Sequence, residues 1–131
     1  MTQKDKELLL KDLCARLPYG VKCDVGDDKP YTLSRIEIDY KNGHLLDFIE
    51  TKDELDMQVY ISEIKSYLFP LSSMTEEQKK EYGHVLIMSI NTSCFQSSDS
   101  FVEDWLNKNH FDWRGLIPLG LAIDATNLNI Y

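Results

Sequence analysis

The sequence predicts an α+β fold: one domain over residues 1–131, an antiparallel sheet of three to five strands, and about three helices packed on it. Three observations carry that reading. Period-two alternation of apolar residues runs through residues 36–61. Helix stripes with N-terminal capping signals occur before and after that region. The composition, 43% hydrophobic and 11% aromatic residues in a chain of 131, suits a domain that buries its own core.

Residues 3–17 read as the first helix. Leu9, Leu10, Leu13, Cys14 and Leu17 follow the i, i+3, i+4 rule, with Lys4, Glu7, Lys11 and Asp12 on the opposite side. Thr2 is the expected N-cap, and Pro18 with Gly20 supplies the stop. Cys14 on this stripe reads as packing material. Val21 to Val25 reads as a short strand, followed by the acidic turn Gly26-Asp27-Asp28-Lys29-Pro30. Asp24, Asp27 and Asp28 do not match the alternating oxygen ligands of a calcium loop, so a solvated turn is expected.

A hairpin follows around Lys41-Asn42-Gly43. Ile36, Ile38 and Tyr40 alternate with Arg35, Glu37 and Asp39, and the return strand is His44 to Ile49. A two-residue Asn-Gly turn would set Ile38 opposite Asp47. A three-residue loop, with Gly43 in the left-handed position of a bulge, pairs Tyr40, Ile38 and Ile36 with His44, Leu46 and Phe48 and gives the cleaner apolar face. The three-residue register is therefore expected, with His44 at the hairpin tip. Met57, Val59 and Ile61 predict a third strand antiparallel to the second, although Leu55, Val59, Tyr60, Ile64, Tyr67 and Leu68 also fit a helix over 54–68. Ile64 to Ser73, broken by Pro70, should cross the core in extended form.

Thr75-Glu76-Glu77-Gln78 is a capping box, with two acids complementing the positive end of the helix that follows. That helix should run to about Ile90, burying Tyr82, Val85, Leu86 and Ser89 or Ile90, with His84 packed on or beside the stripe. Asn91 to Ser98 reads as a polar loop. A second capping box, Ser100-Phe101-Val102-Glu103, starts a helix to Lys108 or Asn109 with Phe101, Val102, Trp105 and Leu106 on its apolar face and Asn109 as its C-cap. Gly115, Pro118 and Gly120 then predict a shaped loop, and Gly120 to Ile123 a last strand.

Charge and cysteine content narrow the function classes. The 14 basic and 22 acidic residues leave a formal net charge of −8, which disfavours binding to duplex nucleic acid or an anionic membrane surface. The longest apolar run, Val85 to Met88, is far too short to span a bilayer. Cys14, Cys23 and Cys94 lack CxxC spacing and read as reduced, partly buried thiols of a cytosolic protein. The charged N-terminus MTQKDKELLLKDL has no apolar signal region. No nucleophile elbow, HExxH helix or phosphate-cradling glycine loop occurs, so neither a metal nor a cofactor is expected.

The densest constellation is His110, Asp112, Trp113 and Arg114. An arginine offers a fork of donors for carboxylate or phosphate, and tryptophan a stacking face. Together they would suit a partner's acidic surface or a small anionic ligand such as a nucleotide; the alternative is that they tie down the loop among themselves. Asp104-Trp105-Leu106-Asn107, His110-Phe111-Asp112, Arg114-Gly115-Leu116-Ile117 and Gly120-Leu121-Ala122 resemble a family of small uncharacterised proteins of phages and prophages of gut Bacteroidales. Leu10 to Val21 and Tyr67 to Glu77 look similar to it too. The resemblance carries no established activity and no catalytic residues. It implies a setting, the bacterial cytoplasm during infection or lysogeny. The expectation is a non-enzymatic accessory protein that binds a host or phage protein through this C-terminal loop, at His110, Asp112, Trp113 and Arg114, with homo-oligomerisation open. The alternatives are the anionic-ligand binder at Trp113 and Arg114 and a small enzyme.

Overall fold

The computed structural model describes residues 2–39, 44–50, 56–92 and 99–131, with side chains described outside 38–58 and 91–100. The elements in order are α1 (Gln3–Arg16), β1 (Lys22–Asp24), β2 (Tyr31–Asp39), β3 (His44–Glu50), β4 (Asp56–Tyr60), β5 (Lys65–Leu68), α2 (Glu76–Thr92), α3 (Asp99–Lys108) and β6 (Ala122–Asp124). Short 3-10 turns at Leu17–Tyr19, Ile61–Glu63 and Leu71–Ser73 join some of them.

The α+β class is as expected. Among the described residues the sheet holds six strands, two of them only three residues long, in the order β4-β3-β2-β1-β5-β6. Its last pair, β5 and β6, is parallel, whereas an antiparallel sheet was expected. Parallel neighbours need a long crossover, and α2 with α3 provides it between residues 68 and 122. The segment expected only to cross the core is itself β5, paired with β1 on one side and β6 on the other.

Helix α1 starts where the sequence places it. The Thr2 hydroxyl accepts from the Asp5 N–H while the Asp5 carboxylate accepts from the Thr2 N–H, a reciprocal cap. Its buried face is Leu9, Asp12, Leu13 and Arg16, so Asp12 is not on the solvent side, and Cys14 is exposed rather than packed. Cys23 is buried in β1, and Cys94 lies outside the described residues.

The β2–β3 register corrects the expected hairpin. Asp39 pairs with His44, Ile38 with Leu45 and Ile36 with Asp47, one residue away from the three-residue-loop register; the connecting residues 40–43 lie outside the description. The reason sits further down the strand. A register shift between Leu33 and Arg35 breaks the two-residue period. In a regular strand residues 33 and 36 point to opposite faces. The irregularity lets Leu33, 2% exposed, and Ile36 pack on the same core. Downstream, β4 is a strand antiparallel to β3, not part of a helix over 54–68.

Helix α2 carries its capping box as expected: the Thr75 N–H donates to the Gln78 side-chain carbonyl and the Gln78 N–H to the Thr75 hydroxyl. Its burial differs from expectation. Tyr82 and Val85 are partly buried and Ser89 is buried, but Leu86, Ile90 and His84 are exposed. The reason is that α2 packs mainly against a single helix, α3, so its covered stripe is narrow. Helix α3 begins at Asp99, which places Ser100 inside the helix rather than at its cap, and Phe101 is 40% exposed.

Two apolar clusters result. The larger joins Leu9 and Leu13 of α1 to Val21, Cys23, Leu33, Val59, Ile61, Ile64, Leu68, Leu116 and Leu121. The smaller centres on Trp105, Leu106 and Phe111, with Phe69, Met74, Tyr82, Val85, Val102 and Trp113 around it.

Candidate functional site

The turn from His110 to Gly115 begins at the end of α3. His110 adopts the left-handed conformation, φ 62°. Its N–H donates to the Asn107 carbonyl and the Phe111 N–H reaches back to the Leu106 carbonyl, at 3.1 and 2.9 Å. This is a Schellman closure with Phe111 packed against Leu106 in the smaller cluster. The left-handed residue is therefore His110, not Asn109. Asn109 instead uses its side-chain amide to donate to the Trp105 carbonyl at 2.8 Å. A left-handed non-glycine residue costs about 1–2 kcal/mol. The imidazole offsets that by stacking on the Tyr131 ring, centroids 3.7 Å apart and 11° from parallel.

Phe111 then extends the sheet. The Phe69 N–H donates to the His110 carbonyl and the Asp112 N–H to the Phe69 carbonyl, both at 2.8 Å, which continues the edge of β5. Asp112, buried, turns its carboxylate onto the next loop and accepts from the N–H groups of Leu116 and Ile117 at 2.8 and 2.9 Å. Trp113 donates its indole N–H to the Asn107 side chain at 2.9 Å. The Arg114 guanidinium lies 4.1 Å above the Trp113 ring and donates to Asp12 at 2.9 Å.

That last bond leads into the interior. Asp12 has no exposed side-chain surface, and its second oxygen accepts from Arg16 Nε at 2.9 Å. Arg16 is equally buried and donates from Nη2 to the Phe111 carbonyl. One carboxylate thus joins two guanidiniums, from α1 and from the C-terminal loop. A buried charge pair of this kind is retained only when further hydrogen bonds complete it, and the Phe111 carbonyl and the Trp113 face are those completions. Arg16 Nη1 and His110 Nδ1 are buried without a hydrogen-bond partner among the described residues.

The C-terminal tail closes the other side. The Tyr131 hydroxyl donates to the Tyr67 carbonyl at 2.9 Å and accepts from the Lys22 N–H at 2.8 Å, while Lys22 Nζ donates to the Ile130 carbonyl at 2.8 Å. Burial pushes the Tyr131 phenol well above its ordinary value. Burial first, then the cations of Arg16 and Lys22, hold His110 down to about 4. The neutral imidazole is thus the form the fold accommodates. The sign follows by linkage: a depressed pKa in the folded state gives stability that is complete above about 6.5, the unfolded value, and is lost as pH falls towards 4. In an NMR titration the His110 ring should titrate near pH 4. Titration above pH 6 would refute its burial between Tyr131 and the two cations.

All four residues singled out by the sequence therefore converge on one structure, and each is bonded internally. Three more belong to it that the reading of α1 and α3 did not include: Asp12, Arg16 and Asn107. A signal was present for the first two. Asp12 and Arg16 stand i, i+4 apart and, with Leu9 and Leu13, fall on one helical face. Among the described residues no three His, Cys, Asp or Glu side chains converge as a metal site requires, and no helix is long and apolar enough to cross a membrane. No family model, curated protein or solved structure matches the chain.

Proposed function

We propose that the protein is a non-enzymatic binding or accessory protein that acts through a protein–protein interface in the cytoplasm of a phage-infected or lysogenic bacterium. The observation that carries the interface is the outer face of α2. Leu86, Ile87 and Ile90 are 37%, 58% and 70% exposed and share one arc of about 100° on the helix. Scattered exposed apolar residues are ordinary, but a contiguous group on one helix marks a surface that other molecules cover. The cellular setting rests on the resemblance of the N-terminal, central and C-terminal blocks to small phage and prophage proteins.

The Trp113–Arg114 loop supports this reading as the anchor of the fold rather than as its binding surface. Binding a nucleotide there would ask Arg114 to exchange its bond to Asp12, and Trp113 its cation-covered face, for the ligand. The test uses Ile87→Asp, a change at an exposed side chain. Tagged wild-type protein and the variant are each expressed in an infected host and purified with whatever they retain. A protein held by the wild type and lost from the variant is the expected result. Identical profiles for the two would refute the α2 face as the interface.

A further inference from the structure

We infer that residues 126–131 form a strap that opens and closes as a unit, hinged at Ala125 and latched by the Tyr131 hydroxyl, while the sheet beneath it stays folded. The strap is separate from the α2 face and does not depend on it.

The hinge is set by burial. Ala125 is 1% exposed, and its N–H donates to the Leu68 carbonyl at 2.8 Å, which ties it to the end of β5. Beyond it residues 126–129 are all exposed. Asn127 and Asn129 are left-handed, φ 67° and 54°, a conformation that Asn adopts singly and that no regular helix or strand continues through. The hydrogen bonds of this stretch are local: the Thr126 N–H donates to Asp124 and the Leu128 N–H to the Ala125 carbonyl. Among the described residues, the hydrogen bonds and ring contacts that tie the strap to the rest of the protein gather at Ile130 and Tyr131.

The latch is a wedge in the sheet. β1 and β5 pair at Asp24 with Lys65 and at Cys23 with Ser66. One step further the Tyr131 hydroxyl stands between the strands, accepting from the Lys22 N–H and donating to the Tyr67 carbonyl. Water can take over both bonds when the phenol leaves, so opening strands no backbone group.

The ring of Tyr131 meanwhile covers His110 on one face and meets Phe69 at 5.8 Å, with Lys22 Nζ 5.7 Å from its centre. Opening therefore wets the imidazole. In the closed strap burial, then Arg16 of α1 and Lys22 of β1, hold it neutral down to about 4. Asp12, the carboxylate of α1 in this network, is bonded to Arg16, and the Tyr131 phenol stays neutral because burial raises it. Once wetted, His110 binds a proton more readily, so acid favours the open strap. The gain is at most about tenfold per pH unit, the limit for one proton.

Native-state amide exchange of the full chain, followed residue by residue by NMR and corrected for intrinsic rates, tests this. The Lys22 amide, bonded to the latch, should exchange at least about tenfold faster than the Ala125 and Leu33 amides, which are bonded to Leu68 and Val21. Tyr131→Phe keeps the ring and removes the latch. It should speed the Leu128 amide by about fivefold to tenfold, the worth of one hydrogen bond, leave Ala125 and Leu33 unchanged, and raise the titration of His110 above its value of about 4. Protection of Lys22 in the wild type should fall between pH of about 6.5 and about 4, and His110→Asn should abolish that fall. Lys22 protected as strongly as Ala125 and Leu33 overturns the strap, because the latch would then open only when the whole protein unfolds. So does a Tyr131→Phe variant in which Leu128 is unchanged, or in which Leu128, Ala125 and Leu33 accelerate alike. Lys22 protection that stays constant with pH, or falls equally in His110→Asn, overturns the link to His110.

Discussion

Asp12→Ala should lower the free energy of unfolding by about 3–5 kcal/mol, the range found when one member of a buried ion pair is removed. The cost lies less in the bonds lost than in what remains. Arg16 has no exposed side-chain surface and Arg114 is 11% exposed, so without Asp12 two guanidiniums stay in the interior with no anion between them. A typical domain has only about 5–15 kcal/mol in total, so the variant should unfold at markedly lower urea. Arg114→Ala should cost less than Asp12→Ala, because Asp12 keeps Arg16 and the lost side chain sits near the surface over Trp113. Combining Asp12→Leu with Arg16→Met should recover part of the loss, since apolar groups of similar volume remove both charges together. Urea unfolding of the three variants, followed by far-UV circular dichroism, measures all of this. A change below about 1 kcal/mol for Asp12→Ala, the scale of surface pairs, would show that the network is wetter than the structure has it.

The second large effect is expected at Phe111. Its ring is 1% exposed and stacks on Trp105, centroids 5.7 Å apart and 17° from parallel, with Phe69 at 6.3 Å on a tilted approach. Phe111→Ala should destabilise by about 3–5 kcal/mol, the transfer term of a buried ring plus the cavity it leaves. Phe111→Leu should cost roughly half, because it refills much of the volume. The substitution leaves the Phe111 carbonyl in place, so the bond from Arg16 persists and the two perturbations are separable. Tryptophan fluorescence reports the difference: Phe111→Ala alters the packing of Trp105, whereas Arg114→Ala acts through Trp113. Emission unchanged in Phe111→Ala would mean that Trp105 is held by Tyr82, at 5.4 Å, rather than by Phe111.

Both effects bear on the segment that the sequence marked as most distinctive, Phe111 as part of it and Asp12 through its bond to Arg114, and both give it a structural role. The constellation of His110, Asp112, Trp113 and Arg114 was legible because unusual residue types were concentrated there. What each does was not, because three of the four bonds depend on partners elsewhere. Arg114 meets Asp12 from the first helix, His110 meets Tyr131 from the tail, and Trp113 meets Asn107 across the turn. Only Asp112 bonds forward to its own loop, and an Asp beside a Gly/Pro-containing loop is a pattern that local reasoning can reach.

Local rules did well where local physics decides. The caps at Thr2 and Thr75 are reciprocal bonds within four residues, so the sequence contains both partners. The strand at residues 56–60 and the helix stripe of α3 around Trp105 and Leu106 likewise need only near neighbours. The hairpin register failed by one residue because it depends on an irregularity at Ser34, favoured by the shared burial of Leu33 and Ile36 and invisible to a period-two count. The face of α1 was misread for a related reason. A charged residue is assigned to solvent by its own hydration, and only a partner from the far end of the chain reverses that.

The amino-acid sequence by itself determined the α+β class, the positions of the helices, the strands that hold Ile36, Leu46 and Val59, and the stretch around which the C-terminal part is built. Those follow from periodicities and caps that operate over a few residues. The tertiary structure alone decided the parallel placement of β6, the inward turn of Asp12 and Arg16, and the exposure of α2's second face. Each of these is a competition between water and a distant partner. Burying the Asp12 carboxylate becomes affordable only once Arg16 and Arg114 arrive together, and leaving Ile87 in solvent follows because α3 covers only one side of α2.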